Sequence, residues 1–522
     1  MNSTPLSLPW HRLAQGPPPP PPLRLRRYPF TLRRLLRQRH FHPGLLLSSL
    51  LTISFIILFW AALPYDSPVR LAVRFNFQQL KADFLEGEGL GVNWNADAKT
   101  YPWYPVNITT DVVVLLKTGY GTRGRVQAWF EANMPPKQEK NGMGFGEGNV
   151  LVVGDYASKP GKGFVWQGRE FVVRDMAGKM LEDARNMLGE REVVKEKYPR
   201  VGKYEALRQA IEKGDEEQAM KLSKEWGWEL DALKDLSTLL LAHTLFPTKL
   251  WYLLLDDDTF ILRPSLHALL SRLDPNVPHY IGSPVGDYRA RFAHGGSGVL
   301  LSRATLKTIF PQSSSSSDPR KALSAEVYRD ALTIPWGDRL IAQACQRRGV
   351  YLDERYARLF CGEPPLMMRI EDKRLCQPAL SFHKLGEPNV MREVGERFRN
   401  VSAESTGPVL WKDLWQAYYG QTAPWKRVPD AASLEGRKHW DYVGDVRPKD
   451  EDVEYSRPVL SARWCAELCD LKDDKCLAWR WDGDTGQCFV SPWVMLGRPA
   501  GESVVSGVNT PRLRRVEEKC QG

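Results

Sequence analysis

Acidic residues are missing from the first 43 positions, which carry eight arginines: Arg12, Arg24, Arg26, Arg27, Arg33, Arg34, Arg37 and Arg39. The 522-residue chain has a net charge of +10, so only +2 remains once this tail is set aside. A basic excess confined to a tail does not describe a binding face, and no nucleic-acid partner is expected. Charge of either sign is missing from residues 44–63, GLLLSSLLTISFIILFWAAL. Cysteine is missing before that run, and all eight cysteines follow it. No internal repeat is present, which excludes a repeat architecture.

The apolar run has the length of a bilayer crossing, at about 1.5 Å rise per residue against a hydrocarbon core of about 30 Å. An arginine-rich flank stays cytoplasmic. The long tail ahead of the run, and the length of the run itself, argue against a cleaved signal peptide. The chain therefore reads as a type II single-pass membrane protein. Its expected parts are a cytosolic basic, Pro-rich tail (1–43), a transmembrane signal-anchor (44–63), a stem (64–109), an α/β catalytic domain (110–427), a linker (428–458) and a small Cys-rich domain (459–522). Prolines 17–22 form a polyproline II piece, either a spacer or a ligand for an SH3-like or sorting partner. The sequons at Asn107 and Asn400, and cysteines placed only beyond the anchor, suit an oxidising lumen. The sequon at Asn2 falls on the cytosolic side.

The chemistry concentrates in WYLLLDDDTF, residues 251–260. Leu253, Leu254 and Leu255 end a buried strand, and charges cannot stay in that core unpaired. Asp256, Asp257 and Asp258 must emerge where the strand leaves the sheet, the edge at which open α/β sheets bind ligands. Alternation sends Asp256 and Asp258 one way and Asp257 the other. Two convergent carboxylates invite a hard divalent cation, which could in turn grip a diphosphate. A calcium EF-hand loop fits less well, because Ile261 and His267 stand where its Gly and Glu belong. A haloacid-dehalogenase-type phosphatase would need Thr or Val where Phe260 stands.

Strands alternating with helices imply an α/β layered domain. DVVVLLKT (111–118) and NVLVVGD (149–155) read as strands, as do HYIGSP (279–284) and SGVLLSR (297–303). Residues 230–246 and 264–273 read as helices, 176–226 as a solvated helical insertion, and 313–319 as a loop. GYGTRG (119–124) matches a dinucleotide fingerprint, but no acid stands at the required distance of about 20 residues, which weakens a nucleotide-dependent oxidoreductase reading. Asp155 is either a nucleotide-reading carboxylate or a strand-end turn residue. Lys117 and Lys234 are the nearest cations for phosphate, or surface lysines. Gly295 and Gly296 allow close backbone approach or form a tight turn. Asp338 is an N-terminal helix residue or a base. His383 ends an apolar approach; joined to the Asp run, it would make a two-carboxylate, one-imidazole set suited to Mn²⁺ more than Mg²⁺.

Taken in order, Lys117-Thr118-Gly119, Gly227-Trp228 with Leu230-Asp231, Trp251-Tyr252 leading to Asp256–Asp258, Gly282-Ser283-Pro284, His294–Gly298, Gly337-Asp338 and Ser381-Phe382-His383 resemble the β-1,3-glycosyltransferases of family 31. The fungal members are the nearest in pattern, with fringe and core 1 galactosyltransferases more distant. The resemblance implies a GT-A, Rossmann-like fold, a UDP-sugar donor, a glycan or glycoprotein acceptor, Mn²⁺, inversion and a Golgi location. It implies Asp256, Asp258 and His383 as metal ligands and Asp338 as the general base. Lys117, Thr118, Asp155, Lys234 and Asp257 then fall on the donor side, and Gly295, Gly296 and Trp336 on the acceptor side. Two departures stand out: a long insertion between Asp155 and Gly227, and Trp336-Gly337 where relatives often carry another acid.

The C-terminal Cys465, Cys469, Cys476 and Cys488, around Leu477-Ala478-Trp479-Arg480-Trp481, resemble a PAN/apple module. Such a module binds protein or carbohydrate, which supplies an alternative reading as a non-catalytic lectin or adhesion protein. Cys361 and Cys376 are the expected pair inside the catalytic domain. Cys345 and Cys520 are then left over, buried and free or with one of them linking a homodimer.

Overall fold

The computed structural model describes residues 43–522, apart from 88–93, 95–102, 135–142, 160, 312–322, 405–406, 428–433, 448–449, 451–452, 457, 473–474 and 521–522. The arginine tail, the prolines at 17–22, the Asn2 sequon and the serine loop at 313–319 lie outside the described residues, as does the side chain of Asn400. Residues 1–63 and 64–522 form two separate units. In the first, Pro43–Ala62 is one helix, α1. The side chains of its first five residues lie outside the described set. Among the described residues no helix is long and apolar enough to cross a membrane.

The second unit opens with α2 (Pro68–Gly87), inside the stretch expected to be the stem. Tyr65 and Arg74 seat it against Tyr351: the Tyr351 hydroxyl donates to the Tyr65 carbonyl at 2.8 Å, and the Arg74 guanidinium lies 3.8 Å above the Tyr351 ring. The main sheet follows. Its strands are β1 (Val112–Lys117), β2 (Val150–Gly154), β3 (Val173–Asp175), β4 (Trp251–Asp256), β5 (Tyr280–Gly282) and β6 (Val299–Ser302). The spatial order is β3-β2-β1-β4-β6-β5. β1 pairs in parallel with β2 and with β4, while β6 runs antiparallel to β4 and β5.

The sheet is mixed α/β, and both of its faces are covered. Val112, Val114 and Leu116 enter one core with Trp129 and Phe130 of helix α3 (Arg125–Asn133). Val113 and Leu115 enter the other, with Met176 and Met180 of α4 (Met176–Leu188). That is why β1 and β4 read as unbroken apolar runs rather than alternating ones.

The charged stretch expected to be a solvated insertion is instead part of the second core. Beyond α4 it forms α5 (Pro199–Lys213) and α6 (Glu216–Asp231). Val201, Leu207, Ala219 and Leu222 are buried beneath their charged outer faces. Helix α7 (Asp235–Leu245) then leads into β4.

The C-terminal part is a five-stranded sheet carrying helix α8 (Ala462–Leu471), which Cys465–Cys488 and Cys469–Cys476 staple down. Its strands include Ala478–Asp482, Gln487–Ser491 and Val504–Val508. The polar stretch read as a linker supplies both edges of this sheet, Arg437–Lys438 and Glu454–Ser456. The expected Cys361–Cys376 pair does not form. Cys376 bonds Cys520 instead, after the last helix, α9 (Thr510–Glu518). Cys361 is buried and free with its sulfur 2.9 Å from Met368 Sδ, and Cys345 is likewise buried and free.

Candidate active site and metal centre

The end of β4 is where burial stops. Its first five residues are buried and Asp256 is half-buried. Asp256 and Asp258 turn toward His383, whose Nε2 lies 3.9 Å from Asp256 Oδ2 and 3.1 Å from Asp258 Oδ1. Asp257 points the other way, accepting a 2.7 Å hydrogen bond from Thr118 Oγ1. His383 arrives by a short antiparallel ladder in which Phe382 pairs with Phe260, just beyond the Asp run. The Leu385 amide closes it on the Asp258 carbonyl at 3.1 Å.

One ligand atom each from Asp256, Asp258 and His383 lies within 4.8 Å of the others. Metal–ligand bonds of about 2.0–2.2 Å need such atoms up to about 4.4 Å apart, so small rotations bring all three onto one ion. Two carboxylates with one imidazole form a donor set fit for a divalent cation.

Gly296 explains why the imidazole can sit there. A Cβ at Gly296 would fall well inside contact with Cε1 and Nε2 of His383, and 2.7 Å from Nδ1. His294 packs edge-on, with ring centroids 5.4 Å apart, and is fixed by a 2.7 Å bond between its Nδ1 and Ser297 Oγ. For His383, burial opposes the charged form. The bond to Asp258 and the fields of Asp258 and Asp256 outweigh it, and its pKa ends raised.

Lys117 stands behind the metal set because the β1–β4 register places it beside Asp256. Its ammonium lies 3.0 Å from Asp256 Oδ1 and 3.2 Å from Asp235 Oδ1, almost wholly buried. Burial works against that charge, but Asp235 and Asp256 more than restore it, so Lys117 stays protonated. Burial likewise opposes ionisation of Asp256, yet Lys117 and His383 hold its pKa below the usual carboxylate value. Asp257 is pushed up to about 7 by burial, which outweighs the hydrogen bond from Thr118 and the field of Arg125. Arg125 approaches it at 3.4 Å and Asp258 at 3.6 Å.

Asp338 occupies the first turn of the helix Gly337–Gln346. Its Oδ2 accepts from the Gly295 amide at 3.0 Å and its Oδ1 from the Arg339 amide at 2.9 Å. The glycine loop therefore joins the metal set to Asp338. Burial raises the pKa of Asp338, against the pull of the Gly295 amide and Lys117. Trp336, just ahead, is 40% exposed and stacks on Phe292 at 6.4 Å.

On the opposite flank the proposed donor residues divide. Thr118 and Lys234 are buried; Lys234 Nζ donates to the Thr118 carbonyl at 2.9 Å and pairs with Asp231. Their polar groups support the loop from beneath. Asp155 accepts from the Tyr120 amide at 2.8 Å, and its other oxygen is buried without a hydrogen-bond partner. The GYGTRG loop is clamped by α6, with the Gly121 amide on Ser223 Oγ at 2.8 Å and the Tyr120 hydroxyl on Glu216 at 2.6 Å.

Sequence reasoning missed Asp235, Arg125 and this clamp, and noted His294 only as part of the His294–Gly298 motif. Asp235 looks like an ordinary first-turn helix acid. The one available signal was that it is the single carboxylate in a leucine-rich helix, where an acid needs a partner.

Residues 210–332 match the protein-family model described as Fringe-like. That span holds α6, α7, the Asp run and the His294–Gly298 loop, while Asp338 and His383 lie beyond it. Among curated proteins, the human chondroitin sulfate glucuronyltransferase is 33% identical over 109 residues. The matched stretch is 20% of this chain and 12% of that protein.

Proposed function

We propose that this protein is an inverting glycosyltransferase that moves a hexosyl unit, galactose by our reading, from a UDP-sugar to a hydroxyl of a glycan or glycoprotein in β-1,3 linkage. The observation that carries the reading is the Asp256–Asp258–His383 set at the carboxyl end of β4, bridged by the Gly295–Gly296 loop to Asp338. The Fringe-like match over 210–332 and the glucuronyltransferase likeness support the same class of reaction.

In this scheme Asp256, Asp258 and His383 would hold Mn²⁺, with Mg²⁺ as the alternative. The ion supplies charge compensation for a departing diphosphate. Lys117 keeps Asp256 ionised and fixed in direction. Asp338 accepts the proton from the attacking acceptor hydroxyl at a carboxylate oxygen. The Gly295 and Arg339 amides hold that carboxylate still, and its raised pKa makes it a better base than an exposed aspartate. Trp336 offers an exposed aromatic face to the acceptor sugar, and Asp155 lies on the side of the nucleoside.

The uncharged run 44–63 would anchor the protein in a Golgi membrane; the side chains of residues 44–47 lie outside the described set, and Leu50, Leu51, Ile53, Phe55, Ile56 and Leu58 beyond them are all exposed. The stapled C-terminal sheet would be a PAN/apple-like module.

The test is calorimetry of UDP with and without Mn²⁺, on the wild type and on Asp256→Ala/Asp258→Ala. Mn²⁺-dependent binding that disappears in the variant is expected. Metal-independent UDP binding equal in both proteins would overturn the proposal.

A further inference from the structure

A second cavity, of about 390 Å³, opens where the C-terminal sheet meets the helix Pro424–Arg427. No residue of the metal set or its supports lines it. The size falls in the range of small-molecule sites. Two guanidiniums, Arg427 and Arg437, stand at it, and among the described lining residues there is no carboxylate. Arg427 is braced by a 2.9 Å bond to Gln421, and Arg437 lies 3.5 Å over the Trp440 ring. Both charges act on the Tyr442 phenol, which also lines the cavity.

The third wall is the start of α9. Thr510, its first residue, lines the same space, while the Asn509 side chain caps the helix by accepting from the Arg512 amide. The Thr510 side chain is 0% exposed and its hydroxyl has no hydrogen-bond partner. A buried hydroxyl left without a partner costs free energy unless something fills the site. Two cations and an idle hydroxyl describe an oxyanion, while Pro424, Val508 and the Tyr442 ring describe an apolar face beside it.

We propose that this cavity is a second binding site, for a saccharide carrying a carboxylate or a sulfate. The oxyanion pairs with Arg427 and Arg437 and accepts from Thr510, and the sugar ring lies along the Tyr442–Val508 wall. That the anion is borne on a sugar rests on the transferase reading above; the oxyanion specificity does not. The site would hold a stretch of acidic glycan at a place separate from the reacting end.

The test uses the full-length chain in detergent, at low ionic strength and with chelator, so that the metal set is idle. Glucuronic acid, N-acetylglucosamine 6-sulfate, glucose and inorganic sulfate are titrated separately by calorimetry. One or both acidic sugars are expected to bind, with whichever binds identifying carboxylate or sulfate as the anion. Glucose should not bind, and inorganic sulfate should bind at least tenfold more weakly. Arg427→Gln/Arg437→Gln should lose at least tenfold in affinity. Thr510→Val, which keeps the side-chain shape, should lose severalfold, and Asp256→Ala/Asp258→Ala should bind as the wild type does. No binding by either acidic sugar, equal binding of glucose, or folded arginine variants with unchanged affinity would overturn the proposal. Sulfate as tight as the sugars would overturn its saccharide part. UDP binding with Mn²⁺ is read separately, so the two proposals fail independently.

Discussion

Gly296 is the position at which one methyl group should separate folding from metal binding. In Gly296→Ala the new Cβ would collide with three atoms of the His383 ring, the farthest of them, Nδ1, at 2.7 Å. Carbon contacts settle near 3.5–4.0 Å, so the ring must retreat by about 1 Å or more. It cannot do so freely, because His294 packs against it at 5.4 Å and its side chain is only 13% exposed. Overpacking of this kind costs about 1–3 kcal/mol in stability. Displacing one of three ligands by about 1 Å should weaken Mn²⁺ binding by about 10–100-fold, the range found when a ligand's support is lost. The control is Gly295→Ala, whose Cβ would meet Asp338 and Lys117 at 3.5 and 3.7 Å, ordinary contact distances. Metal titration by calorimetry, with a thermal melt of each protein, decides the matter. A folded Gly296→Ala protein with wild-type Mn²⁺ affinity would refute the assignment of His383 to the metal. Equal losses in both variants would show that the loop as a whole, not the imidazole, is at fault.

Asp258→Asn should abolish transfer while the protein still melts cooperatively; wild-type turnover would sink the site assignment. Asp338→Asn should reduce kcat by several orders of magnitude yet leave UDP–Mn²⁺ binding intact, as titration of the inactive protein can check. Because burial raises the Asp338 pKa, kcat/KM should fall on the acid side at a pH above that expected of an exposed aspartate. Raising the pKa of His383 keeps its proton on to higher pH, so Mn²⁺ affinity should weaken as pH drops through that value and recover above it. Removing the Cys376–Cys520 bond as a double alanine variant should destabilise by up to about 5 kcal/mol for a loop of 144 residues. Denaturant unfolding measures this, and no change in midpoint would mean that the surrounding contacts carry the junction alone.

The metal set was legible because its signal is local and costly. An apolar strand running into three aspartates has few physical explanations, and alternation assigned Asp256 and Asp258 to one side, where His383 meets them. The sheet was legible for the same reason: β1 and β4 are apolar at every position but the last. What was not legible depends on distant pairing. Nothing in LKDLSTLL marks Asp235 as the partner of Lys117, since the two meet only after the chain has crossed from β1 to α7. The charged surfaces of α5 and α6 hid buried faces, because Lys and Glu dominate the composition while a few spaced residues, Val201, Leu207, Ala219 and Leu222 among them, reach the core. Cysteine pairing failed on sequence proximity: Cys361 and Cys376 are near neighbours in the chain, but Cys376 faces the end of α9.

That last bond fixes an order of events. The strand Ile370–Glu371 completes its ladder only with Trp493–Val494, and Trp425 donates at 2.9 Å to Glu517 of α9. Residues emerging early in synthesis are therefore finished by residues emerging late, against the usual sequence in which N-terminal parts fold first. The bond itself can close only once Cys520 has been made, and only where thiols are oxidised. A chain cut short before its last helix, or one kept under reducing conditions, would carry every residue of the metal set and lack the bond that ties Cys376 to the end of α9.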